Sequence, residues 1–135
     1  MILILTALSL YMTGVIWVVQ LLVYPNFGHF SDADFKRAME HHTKNISLIV
    51  MLPMLAELGI SVWWMYVDLS IISFTNGVIV TVIWVSTFLL QVPAHNKLQV
   101  KKDSKVIHFL IRWNWLRTIG WTVKSLLLIG CYFSS

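Results

Sequence analysis

From Ile2 to Tyr24 the sequence carries no Asp, Glu, Lys or Arg, and apolar residues dominate throughout. A run of that length is about what an α-helix needs to cross a hydrocarbon core of ~30 Å. Inside lipid each backbone amide must be satisfied without water, which leaves helices and closed barrels as the spanning structures. Further apolar runs begin near Ile46 and Gly77, so the chain reads as an all-α integral membrane protein. Its 135 residues are 58% hydrophobic and 12% charged, against about 25% charged in soluble domains. Four spans fit in one domain covering 1–135, with no length left for a separate soluble domain. The first run lacks a basic n-region and a small-residue cleavage pattern, so it is expected to be a retained helix.

The spans are expected at Ile2–Tyr24, Ile46–Tyr66, Gly77–Leu98 and Val106–Phe133. Pro25 should end the first, because a proline pushes the preceding residue out of the α region. In the connection before the second span, Ser31-Asp32-Ala33-Asp34 has the pattern of a helix N-terminus, read either as an interfacial segment or as an extension of that span. Pro53, inside the second span, leaves the carbonyl of Ile49 without its helical donor. Basic residues fall in the first connection (Lys36, Arg37, Lys44) and the third (Lys97, Lys101, Lys102, Lys105), and the second connection and the termini have none. By the positive-inside rule, connections one and three are cytoplasmic and both termini lie on the other side. The expected architecture is an antiparallel four-transmembrane-helix bundle in the bacterial inner membrane. A net charge of +4 is accounted for by that topology rather than by nucleic acid.

The residues that need explaining are polar ones at membrane depth. His108 to Lys124 holds Asn114, Arg117 and Lys124 in what is otherwise a spanning run, and charges there are costly unless partnered. Counting inward from the cytoplasmic edge at ~1.5 Å per residue puts Tyr24, His42 and His95 near the interface, Gln20, Gln91 and Asn114 roughly 8 to 10 Å in, and Glu57 and Arg117 about 15 Å in. Equal depth predicts a Glu57–Arg117 ion pair, either as structural glue or as part of a pocket with a proton-transferring carboxylate. Thr6, Thr13 and Gln20 recur every seven residues and form a polar stripe along the first span; Trp17, Trp84 and Trp121 lie on such polar stripes, where indole faces can line a site for a planar ligand. His42 and His95 approach one mouth from different helices. Two imidazoles there can act as bases, or, with Tyr24 or Glu57, hold copper, iron or zinc, and as a pair on facing helices they can ligate haem; a metal-free site is also open.

Several phrases carry a family likeness: Thr13-Gly14-Val15-Ile16-Trp17 through Gln20 and Tyr24-Pro25, His42 with Asn45, Gln91-Val92-Pro93-Ala94-His95-Asn96-Lys97-Leu98, and Asn114-Trp115-Leu116-Arg117-Thr118. Over nearly its whole length the chain resembles a group of small bacterial four-helix membrane proteins without assigned function. More distantly, Pro93, Asn96 and Leu98 followed by Trp113, Arg117 and Thr118 resemble the anthrone-oxygenase-like family, whose members include oxygenases acting on polycyclic aromatic phenols. The spacing to Leu98 is one residue shorter than that family's, and Asn114 stands where it has a histidine.

Together these readings give an expected function. A pocket in the cytoplasmic half would take a small lipophilic or planar aromatic molecule for oxidoreductase or oxygenase chemistry. Catalytic roles fall to His42, Glu57, His95 and Arg117, ligand contacts to Gln20, Tyr24, Gln91, Asn114 and Trp121, and any metal to His42 and His95. The partners implied are the lipid bilayer, that ligand and, as a further option, a second copy of the chain. The alternative is a non-enzymatic binding or membrane-complex assembly protein that uses the same polar column as glue.

Overall fold

The structure is a computed structural model that describes residues 1–134, so the last residue of the expected 1–135 domain lies outside the described residues. Four helices account for nearly all of it: α1 (Ile2–His29), α2 (Asp32–Val67), α3 (Ile71–Val100) and α4 (Ser104–Ser134). The first three are long and apolar enough to cross a membrane.

Each helix start follows from local chemistry. The Ser31 hydroxyl accepts from the Asp34 amide at 3.2 Å, and Asp32 and Asp34 occupy the first turn of α2, where acids suit the positive end of the helix dipole. The Ser31 pattern therefore belongs to α2 itself, which runs on without interruption through Pro53. Ser70 caps α3 through the Ser73 amide at 3.3 Å, and Asp103 accepts from the amides of Lys105 and Val106 at the head of α4. The Ile49 carbonyl freed by Pro53 is approached at 3.4 Å by the Tyr11 hydroxyl of α1.

The end of the first helix differs from expectation. α1 passes through Pro25 to His29 instead of stopping at Tyr24. A π-helical turn spans Val19–Val23, and the Tyr24 amide bonds back five residues to the Val19 carbonyl. A second such turn spans Thr87–Gln91 in α3, directly before Val92 and Pro93. Widening the helix just ahead of a proline moves the backbone out of the clash that a regular α turn would impose. α3 likewise starts six residues earlier than expected, at Ile71 rather than Gly77 (77 − 71 = 6), because Ser70 supplies a cap that permits a tighter turn.

Neighbouring helices run in opposite directions. Thr13 bonds Ser125 and Gln20 bonds Asn114, so α1 and α4 are antiparallel. Ser9 meets Glu57 while Tyr24 packs on His42, so α1 and α2 are antiparallel as well. Lys102 donates to the Phe30 carbonyl at 2.7 Å and lies 3.5 Å from Asp32, which brings the two basic connections to one end of the bundle. At the other end Leu5, Trp64 and Leu128 form a small buried cluster near both termini. The main core lies between, with Met12, Ile16, Met39, Leu110 and Trp121 among its members.

α4 packs against both α1 and α3. Gly120 makes the second of these contacts possible: a Cβ added there would stand 3.0 Å from Cγ1 of Ile83, itself buried. Gly120→Leu is expected to overpack this seam and destabilise the detergent-solubilised protein by about 1–3 kcal/mol. Thermal unfolding followed by circular dichroism checks it, and an unchanged transition would contradict the close α3–α4 approach.

Candidate functional site

Two polar centres occupy the bundle interior, joined by one tryptophan. In the outer centre Lys124 Nζ lies 2.7 Å from Glu57 Oε1, with both side chains buried. The same oxygen accepts from Ser9 at 2.6 Å, and Trp121 Nε1 donates to Glu57 Oε2 at 2.9 Å. Glu57 is thus held from α1 and α4 at once.

The expected Glu57–Arg117 pair is therefore replaced by Glu57–Lys124. The depth count placed the membrane edge of the second span at Ile46, but α2 begins at Asp32, fourteen residues earlier (46 − 32 = 14). Measured from the far end, Glu57 is ten residues from the end of α2 (67 − 57) and Lys124 ten from the end of α4 (134 − 124). α2 and α4 are parallel, so equal counts mean equal depth. Arg117 sits about two turns away from that level. Its guanidinium lies over the Trp121 ring, 5.4 Å from the centroid.

The inner centre begins at Arg117. Its Nη1 approaches Asn114 Oδ1 at 3.4 Å, and the guanidinium faces the Tyr24 hydroxyl. Tyr24 is hydrogen-bonded to Nε2 of His95 at 3.2 Å. The rings of His42 and His95 stand 5.6 Å apart and inclined at 32°, with Tyr24 edge-on to both. So the structure brings together Tyr24, His42, His95 and Arg117 from four different helices. Pro25 and Pro93 mark where the two helices carrying Tyr24 and His95 have been widened.

A cavity of about 230 Å³ opens beside this group. Met12, Ile16, Val50, Met54, Trp84 and Phe88 supply apolar walls, and Tyr24, Thr43, Gln91, His95 and Arg117 supply a polar fringe. Several buried atoms of that fringe have no hydrogen-bond partner within the protein: both amide atoms of Gln91, Nδ1 of His95, Nε of Arg117 and Oγ1 of Thr43. A buried polar group left unpartnered costs about 1–3 kcal/mol, so five such atoms around one space mark it as built to receive polar atoms from elsewhere.

Direction can be assigned to part of this fringe. Arg117 only donates, so the Tyr24 hydroxyl it faces is free to pass its own proton to Nε2 of His95. That tautomer leaves a hydrogen on Nδ1, directed away from Tyr24. With Arg117 Nε and the Gln91 amide nitrogen, the fringe then has a surplus of donors, which suits a ligand rich in oxygen acceptors.

Not every expected ligand contact borders this space. Gln20 and Asn114 satisfy each other: Asn114 Nδ2 donates to Gln20 Oε1 at 2.9 Å, Thr118 donates to the same oxygen at 3.3 Å, and Gln20 Nε2 donates to the Ile111 carbonyl at 3.1 Å. They clamp α1 to α4. Trp121 is fully buried beneath Arg117, and Glu57 is engaged in the outer centre. His42 borders a groove on the other side of the His42–His95 pair. Nε2 of His42 and Nδ1 of His95 both lack a protein partner, but the tautomer set by Tyr24 puts a hydrogen on Nδ1, so only His42 offers a nitrogen lone pair to a metal. Among the described residues no three His, Cys, Asp or Glu side chains gather as a ligand set.

Thr43 and Ser9 are the site residues that the sequence reading passed over. Thr43 directly follows His42 and has no spacing signal of its own in the sequence. Ser9 could have been found, since it lies four residues before Thr13 on the stripe that already contained Thr6, Thr13 and Gln20. No family model matches this chain, no curated protein matches it, and no solved structure matches it.

The outer ion pair is open to a direct test. Lys124→Met leaves a buried carboxylate alone and is expected to destabilise the protein by about 3–5 kcal/mol, the usual cost of breaking such a pair from one side. Adding Glu57→Gln should recover most of that loss in the same detergent melting experiment. Equal melting of the single and double variants would contradict the pairing.

Proposed function

We propose that this protein is an integral membrane protein of the bacterial inner membrane, with all four helices crossing. The basic connections face the cytoplasm and both termini face the opposite side. The charge bias of the connections supports this orientation. The span through α4 is supported by the neutralisation of Lys124 by Glu57 and by the stacking of Arg117 on Trp121.

Within the bundle, the 230 Å³ cavity is the binding site for a lipophilic aromatic molecule with phenol- or quinone-type oxygens, and the chemistry is that of an oxidoreductase or oxygenase. The observation that carries this reading is the cluster of unpartnered buried donors at one end of an apolar cavity. The size is suitable: a cavity of roughly 150 Å³ takes benzene, so this one suits about two fused rings. The oxygen of the ligand would lie against Gln91 and the Nδ1 hydrogen of His95, with Arg117 favouring negative charge on it. His42 borders the adjoining groove and not this cavity, so it packs on the His95 ring from the groove side and is not placed to take a proton from a ligand in the cavity.

An electron-rich ring anion held this way can meet O₂, which is soluble in the bilayer. In such an oxygenation a ring methylene, through its phenol tautomer, gives up two hydrogens. One oxygen atom enters as a ketone and the other leaves as water, which balances the step with O₂ as the only oxidant. The distant likeness to the anthrone-oxygenase-like family supports the same substrate class. A non-enzymatic binding protein is the second reading, favoured by the Gln20–Asn114 clamp and the Glu57–Lys124 pair, which are satisfied internally and consistent with structural roles.

Menadione binding to the purified protein in detergent, followed by calorimetry, tests the site. Gln91→Leu is expected to weaken binding about tenfold, the equivalent of one hydrogen bond of ~1.4 kcal/mol, with an unchanged melting temperature. Absence of menadione binding, or equal affinity for Gln91→Leu, overturns the proposed site. Aerobic incubation with 2-methyl-1-naphthol, the two-ring phenol that this step would convert to menadione, with chromatography for the quinone, separates the two readings: binding without quinone formation favours the non-enzymatic protein.

A further inference from the structure

A second and larger space, of about 1310 Å³, lies between α1 and α2 and opens to the outside of the bundle. It is not independent of the cavity just described. Val15, Val19 and Ile46 line both spaces, so the partition between them is one side chain thick. His42 borders the groove and His95 borders the cavity, and their rings are 5.6 Å apart. The imidazole pair therefore stands at the junction.

From this junction the groove runs along α1 past Val18 and Gly14 to Tyr11. At its deep end Tyr11 reaches across to the Ile49 carbonyl at 3.4 Å, tying α1 to α2 and closing the groove. Val19 and Tyr11 are eight residues apart (19 − 11 = 8), roughly 12 Å along the axis, the length of a geranyl-like chain. The stretch between is apolar, and Gly14 leaves it open: a Cβ added there would have no heavy atom within 4 Å.

We infer that the ligand of the inner cavity is a tailed molecule, a prenyl- or alkyl-substituted aromatic, whose headgroup lies at His95 and whose tail occupies the α1–α2 groove. This rests on the reading of the cavity as a headgroup site. The groove adjoins that cavity across the side chains of Val15, Val19 and Ile46, which the tail displaces where it crosses; beyond them it is apolar along the route of the tail and ends at a hydrogen-bonded stop. Such a ligand reaches the site sideways from the bilayer, with its tail still in contact with lipid.

The test compares menadione with its geranyl-substituted analogue on the purified full chain, in wild type and in Gly14→Phe. Because the space at Gly14 is empty of protein atoms, the added ring fills the groove without displacing the core, and Gly14→Leu serves as a second variant. A diazirine on the tail, photolysed and mapped by mass spectrometry, reports where the tail lies. The expected result is labelling confined to the groove face between Tyr11 and Leu22 and near Ile49, removed by excess menadione. Gly14→Phe should lower affinity for the tailed probe several-fold and leave menadione unchanged. Labelling spread over α3 and α4, labelling that menadione does not displace, or equal loss of both probes in Gly14→Phe overturns the tailed ligand. If menadione binds and depends on Gln91 while the tailed probe is excluded, the headgroup site survives and the tail inference fails alone.

Discussion

A lysine with no solvent exposure, 2.7 Å from a glutamate that is also buried, is the condition on which α4 depends. A helix that carries Arg112, Arg117 and Lys124 would gain little from lipid on its own. Glu57 neutralises Lys124, the most buried of these, and in doing so fixes the rotation and height of α4 against α2. Ser9 and Trp121 saturate the carboxylate from two further directions, so the pair has one geometry rather than several. A buried pair of this kind contributes more to uniqueness than to net stability, since two charges leaving water cost about as much as their attraction returns.

Trp121 extends that anchor toward the cavity. Its indole N–H is committed to Glu57 while its face supports Arg117, so the arginine rests on a ring that cannot turn. That leaves Arg117 without a carboxylate, facing a phenol and an amide instead. An arginine whose charge is not cancelled by an adjacent anion retains the capacity to stabilise one supplied from outside. The division of labour is physical: Lys124 consumes the single buried carboxylate, and Arg117 is left available.

Much of this was legible in the residues. The apolar runs gave the helices; the lysine-rich connections indicated which two loops share an end, and Lys102 bridging to Phe30 agrees with that. Tyr24, His42, Gln91, His95 and Arg117 were singled out from polarity at depth, and they do converge. The partner of Glu57 was misjudged because depth was counted from an assumed edge at Ile46, whereas a polar helix that begins at Asp32 moves the origin. Gln20 and Asn114 looked identical to Gln91 in sequence. What separates them is that two amides on facing helices can satisfy each other, while Gln91 has no such neighbour, and that is a property of pairing that a single chain of letters does not display.

The two π-helical turns have a consequence for how the mouth came to exist. Each adds about one residue to a turn, and one residue on a helix is roughly 100° of rotation. Below Val19–Val23 and below Thr87–Gln91 the side chains therefore follow a different angular phase from those above. Thr13 and Gln20 keep α1 zipped to α4, while Tyr24, past the wide turn, is released to look toward α2 and α3. His95 past its own wide turn does the same. The bundle can hold its seam in one half and open a chamber in the other with the same four helices, because two of them change their facing partway along.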